Sequence, residues 1–138
     1  MDQAERECQE RGAKLPLPEN EKQNEDMLNA FNEMTYGLYN GTYNYYDSRI
    51  VLGLNLKENE GKWVKSNGEN VTYFNWDRNE PNSPHGGPKY VIFRVFARGI
   101  WGYRRGAGKW NERWDLNSYF PVICQQTGKL ILSYLKLS

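Results

Sequence analysis

Two short helices leading into a series of short strands and tight turns is the fold this sequence predicts. Three observations predict it. Helical periodicity, with start and stop signals, is confined to the stretch ending near Gly37. Beyond it the apolar residues fall into short runs, bounded by Gly, Pro, Asn or Ser. Thirteen Gly, ten Tyr, five Trp and five Phe suit turns and pleated surfaces better than a helix bundle.

The first helix opens on Asp2 with Glu5 three residues on, a capping-box pattern. Ala4, Cys8 and the neighbourhood of Arg11 recur at helical spacing, and Gly12 supplies the stop. Cys8 therefore sits on the buried face. Asn20 and Gln23 mark a second helix start. Met27, Phe31 and Met34 then fall on one face, which reads as core packing, and Gly37 ends the helix. Tyr36 to Ser48, rich in Tyr, Asn and Gly, reads as a surface loop. Ile50 to Leu54 is an apolar run of strand length. Lys62-Trp63-Val64 reads as a strand followed by an Asn67-Gly68 turn. Tyr73-Phe74-Asn75-Trp76 comes next. Asn79 to Pro88 reads as a long loop, Tyr90 to Phe96 as a strand, and Gly99 to Gly108 as a hairpin or loop. Pro121-Val122-Ile123-Cys124 reads as the final core strand. Without a repeat, linker or low-complexity segment, residues 1–138 form one domain, with a tail from residue 129.

Charge and cysteines narrow the classes. A formal net charge of +1 gives no global field toward nucleic acid or a membrane surface. No apolar run reaches the roughly 20 residues that cross a bilayer. Cys8 and Cys124 stand near opposite ends. In a reducing compartment they are two buried thiols; in an oxidising one they form a bridge closing almost the whole chain. Asn40-Gly41-Thr42 and Asn70-Val71-Thr72 are N-glycosylation sequons, which with the cysteines favour the oxidising reading. Met1 runs straight into a charged helix, where a secreted protein begins with a basic and then apolar leader. The expectation is a removed leader, a fragment, or a chain that is not secreted.

In order, the motifs are Ala4 through Pro16 with its Gly12-Ala13-Lys14-Leu15 close, then Ile50-Val51-Leu52-Gly53-Leu54. Gly61-Lys62-Trp63, Phe74-Asn75-Trp76, Glu80-Pro81-Asn82, Trp110-Asn111-Glu112 and Val122-Ile123-Cys124 follow. Each triplet alone is a weak signal, but the ordered series resembles the C-type lectin-like domain family over most of the chain. The resemblance implies an α+β fold, two helices flanking small antiparallel sheets with a long loop region. It implies a Cys8–Cys124 disulfide, an extracellular location and a cis Pro81. It also implies a sugar site in which Glu80, Asn82, Asn111 and Glu112 hold one calcium ion, with Glu-Pro-Asn associated with mannose-type sugars. The chemistry suits those residues. Calcium takes about six to eight hard oxygens. The same Glu and Asn side chains accept from and donate to a vicinal pair of sugar hydroxyls.

The chain departs from the family at several places. From Ser83 to Asn111 there is no Asp or Glu, while Lys89, Arg94, Arg98, Arg104, Arg105 and Lys109 add cations. His85 in that loop is a poor calcium ligand and reads as solvated. Glu112 replaces the family's Asp. Weak calcium binding or none is therefore expected. The family's second disulfide, near Tyr90 and near Trp114 or Asp115, is missing. So is its opening strand, whose place the tail Leu130–Leu135 is expected to take in part. Trp63, Trp76 and Trp110 read as core. For Trp101, Tyr103 and Trp114, packing and ligand stacking remain open.

Two binding functions follow. The first is a carbohydrate-recognition module with mannose-type preference. The second is a calcium-independent module that meets a protein or an anionic glycan through the basic, aromatic segment Arg94–Arg113. An enzyme is not expected: there is one His, and no nucleophile elbow, phosphate loop or zinc-type cluster. Glu80 and Glu112 as a glycosidase pair explain the motif order less well.

Overall fold

The computed structural model describes residues 2–38, 49–57, 60–81, 90–95, 107–113 and 119–136. Among these residues, two helices, α1 (Asp2–Glu10) and α2 (Glu21–Leu38), precede seven strands. The strands are β1 (Arg49–Val51), β2 (Leu54–Lys57), β3 (Lys62–Lys65), β4 (Tyr90–Arg94), β5 (Trp110–Arg113), β6 (Tyr119–Gln126) and β7 (Lys129–Lys136). All pair antiparallel, in the order β1-β4-β5, β2-β3 and β6-β7.

The first helix ends as its glycine predicts. Gly12 has φ of +67°, its N–H donates to Gln9 O at 3.0 Å, and the Ala13 N–H donates to Cys8 O at 2.8 Å. Those two bonds make a Schellman close, which satisfies carbonyls the helix leaves open. Beyond it, Lys14 pairs with Gln125 on β6 through two backbone bonds. Cys8 and Cys124, both fully buried, are joined in a disulfide between the first helix and β6. Asn20 caps α2: its Oδ1 accepts from the Gln23 N–H at 2.8 Å, and Gln23 Oε1 accepts from the Glu19 N–H at 2.8 Å.

Four sequence expectations are corrected. Helix α2 runs to Leu38, so Tyr36–Leu38 are helical rather than loop, and residues 39–48 lie outside the described ones. Ile50–Leu54 is not one strand. It breaks at Leu52-Gly53, where the Leu52 N–H donates to Val91 O and the Gly53 N–H to Pro16 O. The chain passes there from the three-stranded sheet to the β2-β3 hairpin. Gly53 permits it, because a Cβ would stand 2.8 Å from Leu15 O. Strand β4 stops at Arg94, with Val95 buried beyond it and Phe96 outside the described residues. Finally, β6 is not the last strand. The chain turns at Thr127-Gly128 and returns as β7, paired with β6 from Gln126↔Lys129 to Tyr119↔Lys136.

The larger core packs α2 on β1 and β4. Met27 and Phe31 meet Ile50, Val91, Phe93 and Trp110, with Phe31 edge-on to Phe93 at 5.0 Å. Met34 packs against its margin, as the helical stripe predicts. A second cluster of Ala4, Leu15, Val51, Ile92 and Val122 surrounds the disulfide.

Candidate functional site

The site is built on β5. One edge of that strand is used by β4, with Trp110, Asn111 and Glu112 opposite Phe93, Ile92 and Val91. The other edge takes the segment before Glu80. Trp110 N–H donates to Asn75 O and the Asp77 N–H donates to Trp110 O, both at 2.9 Å. The chain then turns over Asp77–Glu80, with the Glu80 N–H on Asp77 O at 3.0 Å and Asn79 at φ of +65°, which Asn tolerates. The Glu80–Pro81 peptide is cis, as the family resemblance implies. Glu80 then continues the edge with its side chain: Oε1 accepts from the Glu112 N–H at 2.8 Å. A carboxylate thus stands where a further strand would place a carbonyl.

Three of the four residues expected at the sugar site are on β5 or bonded to it. Glu80 is partly buried and touches β5. Glu112 is 7% exposed. Asn111 Oδ1 is buried and, among the described residues, accepts no hydrogen bond. A buried amide oxygen without a donor is costly, about 1–3 kcal/mol, and such an atom is a hard-oxygen acceptor awaiting a partner. Asn82 lies outside the described residues, as do His85, Lys89, Arg98, Arg104 and Arg105. Trp101, Tyr103 and Trp114 do too.

Trp110 holds the strand in place. It is fully buried, with Tyr73 edge-on at 5.8 Å and Trp76 edge-on at 6.0 Å. The three tryptophans read as core are core or packed against it. The polar support for Trp110 was not legible as function in the sequence. Asn24, 5% exposed on α2, accepts the Trp110 indole N–H at 2.9 Å and donates to Gly108 O at 3.0 Å. Asn75 Nδ2 donates to the same carbonyl at 2.7 Å, and Lys109 Nζ donates to Asn75 Oδ1. One signal existed: Asn24 stands three residues before Met27 and seven before Phe31, a polar amide on the apolar stripe. A second support is the half-buried ion pair of Arg94 with Asp77 at 2.6 Å. Two of the cations expected to oppose a divalent ion, Arg94 and Lys109, are thus bound to Asp77 and Asn75.

Among the described residues, no three His, Cys, Asp or Glu side chains cluster as a metal centre. No helix there is long and apolar enough to cross a membrane. Of the two sequons, Asn70 is exposed beside its bridge to Val64, and Asn40 lies outside the described residues.

Comparison with known proteins agrees with this geometry. Residues 1–126 match the family described as Lectin C-type domain. The chain is 32% identical over 101 residues to C-type lectin domain family 3 member A of Homo sapiens, covering 72% of this chain and 45% of that protein. It is 27% identical over 108 residues to C-type mannose receptor 2 of Mus musculus, covering 77% of this chain and 6% of that receptor. The chain thus spans less than half the length of these relatives. Among solved structures, the cow C-type carbohydrate-recognition domain of CD23, crystallised with a GlcNAc2Man3 oligosaccharide, superposes with a TM-score of 0.53 at 20% identity. That match covers 80% of this chain and 66% of that one.

Proposed function

Because the chain belongs to the C-type lectin domain family, we propose that it is a carbohydrate-binding module whose sugar site is the β5 edge. Glu80, Asn82, Asn111 and Glu112 contact the sugar. The observation that carries this is the buried, donor-free Asn111 Oδ1, next in sequence to the residue whose N–H anchors Glu80. Sugar hydroxyls supply the missing donor, and carboxylate and amide groups together accept from and donate to a vicinal hydroxyl pair. Mannose-type ligands are favoured by Glu80-Pro81-Asn82, and a mannose receptor stands among the relatives.

Calcium fits this donor set in kind. Carboxylate and amide oxygens are the hard ligands it takes. In number they fall short of the usual shell, so its affinity here is weak. Glu80, Asn82, Asn111 and Glu112 would hold the ion, which would supply a positive charge for the hydroxyl oxygens. The chain's own part is to hold Glu80 on the Glu112 N–H and to present Asn111. The disulfide supports an oxidising, extracellular compartment for the domain. Asn70 is an accessible glycan acceptor there. No enzymatic role is assigned: the two carboxylates are used in recognition.

A glycan array run with and without chelator tests this reading, with Glu80→Ala and Asn111→Ala as controls. Mannose-type binding that both substitutions abolish is expected. Chelator-insensitive, salt-sensitive binding to acidic glycans would transfer the function to the basic segment Arg94–Arg113. Calorimetric titration should give a calcium affinity no tighter than millimolar, and sub-millimolar binding would show a complete calcium site.

A further inference from the structure

A second concavity shares no residue with the β5 edge. A cavity of about 320 Å³ lies between the end of α1, the connection to α2, the turn after β3 and Gln125 on β6. That is the lower end of the volumes that hold small ligands, about 300–1,000 Å³. Its charges cancel: Lys14 and Lys65 stand with Glu5 and Glu19, so no net field selects an ion. Lys65 Nζ donates to Glu19 Oε1 at 2.6 Å, and this bond holds the Glu19 carboxyl below its ordinary range.

The remaining polar lining is Gln9, Gln23, Asn67, Gln125 and Ser66. Each amide or hydroxyl both donates and accepts, and so does each group of a polyol. Asn67 and Gln23 spend part of that capacity on Glu69 and Glu19. Gln9 and Gln125 hold no side-chain hydrogen bond among the described residues. Ala13, Leu15 and Leu17 add an apolar wall for the C–H face of a ring. Gly53 keeps that wall tight, since any side chain there would strike Leu15 O.

We propose that this cavity is a second binding site, for one saccharide residue or another small neutral polyol. It is independent of the β5 edge and needs no metal. Gln9 and Gln125 are its specificity-setting contacts, and the Lys65–Glu19 pair forms one rim.

The test is an amide-resolved NMR titration of the full chain with mannose and with N-acetylglucosamine, in chelator, with inorganic sulfate as the ionic control. Saturable shifts at Gln9, Lys14, Lys65 and Gln125 are expected from at least one sugar and not from sulfate. They should persist in Glu80→Ala and weaken about tenfold or more in Gln9→Ala/Gln125→Ala. Each single substitution serves if the pair unfolds the chain, since Gln9 is exposed and Gln125 partly so. Shifts confined to Glu80–Glu112, shifts from sulfate alone, or no shift at these four amides would each overturn the proposal. Because the two clusters report separately, failure at the β5 edge leaves this outcome readable.

Discussion

Replacing Asn24 by Ala tests the support of the site directly. The side chain accepts the Trp110 indole N–H and donates to Gly108 O from a position 5% exposed. In the variant the indole N–H stays buried without an acceptor, a cost of about 1–3 kcal/mol. The Gly108 carbonyl keeps Asn75 Nδ2 at 2.7 Å, so only a net bond of about 0.5–1.5 kcal/mol is lost there. Ala is the better helix former, which returns roughly 0.7 kcal/mol. The expected loss is about 1–4 kcal/mol, or a melting temperature lower by on the order of 10 °C. Denaturant unfolding measures it, and exchange of the Trp110 indole proton locates it. A cycle with Trp110→Phe should show that most of the loss is shared between the two residues. A change below about 0.5 kcal/mol with a still-protected indole proton would show that water or a shifted side chain serves Trp110 as well, and the reasoning would be wrong.

Other perturbations bear on different parts of the fold. Burial, with Glu21 and Glu25 nearby, raises the Tyr73 phenol above its ordinary value. The unfolded chain therefore ionises first, so stability should be full below about pH 10 and fall above it. Tyr73→Phe should flatten that alkaline limb in pH-dependent melting. Asp77→Ala removes the half-buried partner of Arg94 and should cost about 1–3 kcal/mol in chemical denaturation, with weaker sugar binding because Glu80 follows on that turn. Cutting the Cys8–Cys124 bridge, which spans 116 residues, should cost roughly 4–5 kcal/mol by loop-closure entropy, and Cys8→Ser/Cys124→Ser denaturation measures it. Truncation after Gly128 removes β7 and bares the β6 edge. The melting temperature or the solubility should drop, and an unchanged value of both would show that β7 protects nothing.

What the sequence determined by itself is local and patterned. Gly12 and Asn20 announce the helix ends because the chemistry of a cap lies within four residues of it. Met27, Phe31 and Met34 announce the buried face of α2 because helical period alone decides it. Strand β4, the Asn67-Gly68 turn and the order of the short motifs were legible for the same reason, and the order carried the family. The spacing of Cys8 and Cys124 did not decide their pairing; resemblance implied it and the structure joins them.

What only the tertiary structure decided is long-range. Gly53 splits an apolar run because Leu15, remote in sequence, presses on it. Asn24 reads as a misplaced amide until Trp110 and Gly108 stand before it, more than eighty residues on. Glu80 is one carboxylate in a loop until its oxygen meets the Glu112 N–H, and the tail expected to stand in part for an opening strand gains its partner and register only on β6. Pattern records which face of an element is buried. It does not record which polar group waits on the other side, because that partner is chosen only when distant segments pack together.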